Sequence, residues 1–111
     1  MCPAWVLFLL LFLTGVVAAP LGCQALLIIA SVSAYNDFGL TASGAITSQG
    51  TVAAGRDIPF GSVVVIPRWG IGIVQDRGGA ITNGHIDLWM SSYERAIEWG
   101  RKSLPVVVLL P

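Results

Sequence analysis

The stretch GIGIVQDRGGAITNGHIDLW, Gly70 to Trp89, sets two short apolar runs on either side of a glycine-rich loop. The first run, Gly70 to Gln75, reads as a strand closed by Asp76. The second, Ile86 to Trp89, reads as another strand with Asp87 inside it, and Asn83-Gly84 between them is a hairpin turn signal. In period-2 alternation His85, Asp87 and Trp89 share one face, while Ile86, Leu88 and Met90 share the other. A carboxylate between branched apolar neighbours is poorly solvated, which favours its protonated form and raises its pKa. A general acid at neutral pH needs such a proton, so Asp87 is a candidate catalytic residue.

The same rhythm continues on either side of this stretch. Ala25 to Val32 is a first strand ending near Ser33-Ala34-Tyr35, and Thr51 to Ala54 is a short second one. Ser62 to Ile66 follows the turn Ile58-Pro59-Phe60-Gly61, and Pro105 to Leu110 closes the chain as a last strand. Asn36-Asp37-Phe38-Gly39, Ala42-Ser43-Gly44 and Pro67-Arg68-Trp69-Gly70 are turn chemistry. One helix stands out. Ser91 to Glu94 reads as a capping box with Ser91 at the N-cap, and Gly100 as its C-cap glycine. Ala96, Ile97 and Trp99 supply its apolar contacts. Arg101 and Lys102 lie at the negative end of its dipole, where Glu98 can pair with either. Short strands with one small helix, without repeat or linker, predict an all-β chain folded as a compact barrel.

The chain is 111 residues long and 55% hydrophobic, with six acidic and six basic residues. Its mean hydropathy of +0.79 is too high for an ordinary soluble domain. The excess is localised, because no Asp, Glu, Lys, Arg or His occurs before Asp37. Residues 1–24 read as a leader whose apolar run, Trp5 to Ala19, suits a signal peptide and is short for a spanning helix. A cut after Ala18 fits a signal peptidase. The absence of a basic residue before the run leaves an uncleaved anchor open, and Cys23 a minor route to lipidation. Residues 25–111 leave enough for one small domain of about 85 residues. One His and two Cys offer no metal-ligand set, and no cofactor is expected. Zero net charge with dispersed arginines disfavours nucleic acid.

Five fragments then occur in order: Thr41-Ala42-Ser43-Gly44, Ile58-Pro59-Phe60-Gly61, Asp76-x-Gly78-Gly79-Ala80-Ile81, Ile86-Asp87-Leu88-Trp89 and Ala96-x-x-Trp99-Gly100. Together they resemble the three-aspartate (3D) domain family, which is similar to the catalytic barrel of membrane-bound lytic transglycosylase A. The resemblance implies a six-stranded double-psi β-barrel that binds peptidoglycan glycan strands. It further implies cleavage of the β-1,4 bond between N-acetylmuramic acid and N-acetylglucosamine, leaving a 1,6-anhydro sugar. Asp87 matches the family's catalytic aspartate and Asp76 the one that opens the loop. The Gly78-Gly79 backbone would let a sugar approach, and Thr41, Asp57 and His85 are further substrate-binding candidates.

This chain departs from the family pattern at four places. Ala54 stands where the family's first aspartate usually lies, and Asp57 is shifted from it. Arg77 replaces a usual Thr after the loop aspartate, Thr82 a usual loop Lys, and His85 is the basic residue before Ile-Asp. A turn role for Asp76 and a structural pairing of Asp87 with His85 or an arginine are the plainer readings of these residues. Trp69, in its turn, is the better candidate for a stacking platform, whereas Trp89 reads as packing. The expected function is a lytic transglycosylase, exported to the periplasm or cell envelope and monomeric, with membrane association through its leader. A non-catalytic glycan-binding barrel is the alternative, and a membrane-anchored structural module the third reading.

Overall fold

The computed structural model describes residues 24–78, 81 and 83–111. Residues 1–23 of the leader, with its cleavage, anchoring and Cys23 readings, lie outside them, as do Gly79, Ala80 and Thr82. The described residues form β1 (Ala25–Tyr35), β2 (Thr51–Ala54), β3 (Val63–Ile66), β4 (Gly70–Asp76), β5 (His85–Trp89), α1 (Tyr93–Trp99) and β6 (Lys102–Leu109). The strands close into a six-stranded barrel in the order β1-β5-β2-β4-β3-β6. The expected all-β barrel with one short helix is therefore the fold.

Two pairs, β1 with β5 and β2 with β4, run parallel, and the other four pairs are antiparallel. Parallel neighbours need a crossover instead of a tight turn. The strand order corrects the hairpin expected at Asn83-Gly84. Gly84 does turn, with φ 78°, but β2 lies between β4 and β5, so the turn joins strands that do not pair.

β-branched alternation builds the core. Val32, Val52, Val64, Val74, Ile86, Leu88, Val106 and Val108 are each 0% exposed and meet inside the barrel. Val63 and Val65, one residue out of phase, are only partly buried. Gly72 has no side chain because none fits: a Cβ there would lie 2.7 Å from Val52 Cγ2 and 2.8 Å from both the Gly50 carbonyl oxygen and Trp69 Cη2.

The helix differs from expectation by one residue. Ser92, not Ser91, is the N-cap, and its hydroxyl accepts from the Arg95 N–H at 3.2 Å. Glu94 therefore stands in the first turn, where it accepts from the Ser92 hydroxyl instead of closing a capping box. Ile97 is 63% exposed and supplies no buried contact; Trp99 donates through Nε1 to the Val32 carbonyl and anchors the helix to β1. Gly100 ends it with φ 66°. Lys102 Nζ caps the Trp99 carbonyl at 2.8 Å and lies 3.8 Å from the centre of the Trp99 ring. The last strand begins at Lys102, three residues before the expected Pro105, because β1 is long enough to pair with it back to Val32.

Candidate functional site

The site begins with the parallel register of β1 on β5. Ser31 pairs with His85, Ser33 with Asp87 and Tyr35 with Trp89. Ile86 and Leu88 face the core, so His85 and Asp87 face away from it with Ser33 alongside. Ser33 Oγ donates to Asp87 Oδ1 at 3.0 Å and lies 2.7 Å from His85 Nε2. A hydroxyl has one proton. While Asp87 is ionised it receives that proton, and His85 Nε2 must be the donor to Ser33. When Asp87 is protonated the direction of both bonds can reverse.

Burial pushes the Asp87 carboxyl above the ordinary aspartate range; the Ser33 bond, His85 and Arg101 draw it back, and Asp37 adds to the rise. This is the environment the Ile86-Asp87-Leu88 pattern leads one to expect, set by desolvation as the leading cause.

Asp76 ends β4 at the same mouth of the barrel. Its Oδ1 accepts from the backbone N–H groups of Ala42 and Arg77, each at 2.9 Å, and its Oδ2 accepts from the Tyr35 hydroxyl at 2.9 Å. One carboxylate thus ties together the end of β1, the loop after it and its own strand. Burial, the Asp76 hydrogen bond and the nearby carboxylates push the Tyr35 hydroxyl far above its ordinary range, so it stays a donor.

Tyr35, Asp37, Asp76, Arg77, Gly78 and Asp87 line a cleft of about 390 Å³. That volume falls in the usual range for a small-molecule site, roughly 300–1,000 Å³. Asp37 comes from the loop after β1, which reads in the sequence as a turn. Across β5, Ala53 is the residue paired with Asp87 and it too lines the cleft, whereas Ala54 belongs to the core. The third acid of the cleft is therefore Asp37, and β2 contributes only a methyl group.

The other candidates lie as follows. Asp57 is exposed, and its Oδ2 accepts from the Gly84 N–H at 3.3 Å, which links two loops outside the cleft lining. Thr41 is 5% exposed and its hydroxyl meets that of Ser43, one residue beside the Ala42 amide that holds Asp76. Gly78 packs against Ile81, whose Cγ1 would be 2.8 Å from an added Cβ. Trp89 is 5% exposed, donates through Nε1 to the Asp37 carbonyl and meets the Phe38 ring edge-on at 5.2 Å. Trp69 is half-buried and lines a different concavity.

Sequence reasoning did not single out Ser33, Tyr35 or Asp37. The polar residues at alternate positions of an otherwise apolar first strand were the available signal. Arg77 also gains a role: its guanidinium donates to the Ala54 and Ile58 carbonyls and lies 4.1 Å from the Phe60 ring centre. It braces β2 and the following loop at the position where the sequence departs from the family pattern.

The chain belongs to the 3D domain family, whose model matches residues 50–110. Among solved structures it is similar to Streptomyces papain inhibitor, with a TM-score of 0.60 at 18% identity over 78% of this chain and 96% of that one. At that identity the likeness concerns the fold. Among curated proteins none matches the sequence.

Proposed function

We propose that this member of the 3D domain family acts on peptidoglycan glycan strands as a lytic transglycosylase. Support at the family level comes from the 3D match, a family associated with lytic-transglycosylase-like barrels. The observation that carries the catalytic reading is Asp87. It is a partly buried aspartic acid with a raised pKa, in a cleft and on a fixed strand.

In the reaction Asp87, protonated, donates to the glycosidic oxygen as its bond to the anomeric carbon breaks. The sugar's own C6 hydroxyl oxygen then bonds to that carbon, and its proton passes to the Asp87 carboxylate. The acid is thereby restored, and no water is consumed. A hydrolytic glycosidase needs a second carboxylate to activate water or capture the sugar, whereas an intramolecular hydroxyl dispenses with it. Ser33 and His85 hold the Asp87 carboxyl in place. Asp76 acts as a positioning residue through the loop amides and Tyr35, and the negative charge of Asp37 favours the protonated form of Asp87. Export to the cell envelope, with the leader as signal or anchor, belongs to this reading.

A second reading is a glycan-binding barrel without catalysis. It is favoured by Ala54, a core residue standing where the family's first aspartate usually lies, and by Ala53, whose methyl group is all that β2 brings to the cleft.

Peptidoglycan sacculi incubated with the protein and with Asp87→Asn, and read by mass spectrometry, separate the two. Anhydro-muropeptides from the wild type alone are the expected result. Reducing-end products would replace the one-carboxylate mechanism with hydrolysis. Retained sacculus binding without release would establish the binding barrel.

A further inference from the structure

The charges of this neutral chain are segregated between two concavities. Asp37, Asp76 and Asp87 face the cleft described above with Arg77 as its cation. A second concavity of about 470 Å³ reverses the balance: Arg68, Arg95 and Lys102 line it, with Glu98 as its acid. Half of the chain's six basic residues therefore surround it, against one of its six acidic ones.

Indole rings form its walls. Trp69 lies where Gly72 leaves room for it, close enough that a Cβ there would meet its ring. Trp99 is held by its bond to the Val32 carbonyl, and Lys102 is held over the Trp99 ring. Arg68 adopts φ 70°, a left-handed conformation that Gly or Asn takes more readily than Arg. This turn thus places Arg68 in the lining of the concavity, where glycine would be the easier residue.

Trp89 separates the two concavities. It lines the second, while its Nε1 donates to the Asp37 carbonyl and its ring packs T-shaped against Phe38 of the first. A ligand that is uncharged in the acidic cleft, as the glycan reading has it, and anionic at the basic concavity matches both. Guanidinium groups suit carboxylates by bidentate hydrogen bonding, and indole faces suit apolar carbon next to them.

We propose that the second concavity is a subsite for a carboxylate-bearing peptide, such as the stem that branches from the uncharged glycan strand. The proposal rests on the glycan reading of the first cleft and names what that strand carries beside it.

The test uses the full chain in detergent micelles and a synthetic acidic stem tripeptide, with binding followed by tryptophan fluorescence. The expected result is saturable binding that weakens with added salt. It falls at least tenfold when the peptide's carboxylates are amidated and at least tenfold in Arg68→Gln/Arg95→Gln. Arg56→Gln, an exposed arginine lining neither concavity, leaves it unchanged. Absence of saturable binding, equal affinity for the amidated peptide, or indifference to the double substitution overturns the proposal. Because binding is read without cleavage, a protein that releases no muropeptides yet binds the acidic peptide refutes catalysis alone. One that cleaves sacculi but ignores the peptide refutes this subsite alone.

Discussion

Asp87 is held in a place that disfavours its charge, and the consequences are measurable. Its folded-state pKa lies above the unfolded value, chiefly through burial. The stability this represents is fully present below the unfolded pKa and is lost as the pH rises through the folded one. Asp87→Asn removes the charge and keeps the shape. It is expected to raise the melting temperature at pH 7, with the difference vanishing in acid below about pH 4. The same substitution is expected to lower glycan cleavage by about 10²–10⁴-fold, the usual share of a general acid. Ser33 acts in the opposite direction, since its hydrogen bond lowers the Asp87 pKa. In Ser33→Ala that pKa rises, so the alkaline limb of the pH-rate profile should move to higher pH. An unmoved limb would mean that Asp87 is not the acid being titrated.

At the scale of elements, close approach between β4 and its neighbours decides tolerance. A methyl group at Gly72 meets the backbone of Gly50 as well as two side chains. Backbone cannot rotate away, so Gly72→Ala is expected to cost about 1–3 kcal/mol, read from denaturant unfolding. The strands themselves were legible in the sequence because alternation and turn residues are local signals. Thr51 to Ala54 and Gly70 to Asp76 stand where the pattern places them. The capping serine was misplaced by one position because Ser91 and Ser92 carry the same chemistry. Only the backbone, extended at Ser92 with φ −105° and ψ 121°, distinguishes them.

At the scale of the molecule, β6 is the strand that closes the barrel, pairing with β1 on one side and β3 on the other. Val106, Val108 and Leu109 are 0%, 0% and 2% exposed. Burying three such side chains contributes roughly 1.5–3 kcal/mol each. That approaches the whole stability of a small domain, about 5–15 kcal/mol. A chain ending at Pro105 should therefore show no cooperative thermal transition by circular dichroism; a retained transition would mean that the barrel closes without its last strand.

Local pattern by itself determined the strand set, the one helix among the described residues and the opposite faces of Asp87 and Ile86. Ordered short motifs determined the family. These features depend on neighbours a few residues apart, which a sequence displays directly. Tertiary structure decided the strand order, and hence that Asn83-Gly84 joins strands that do not pair. It also decided that Ser33 meets Asp87 and His85 across sequence separations of 54 and 52 residues. Tyr35 and Asp37 join Asp76 in one cleft for the same reason. The charges divide between two concavities because barrel closure, not sequence order, brings Arg68, Arg95 and Lys102 together.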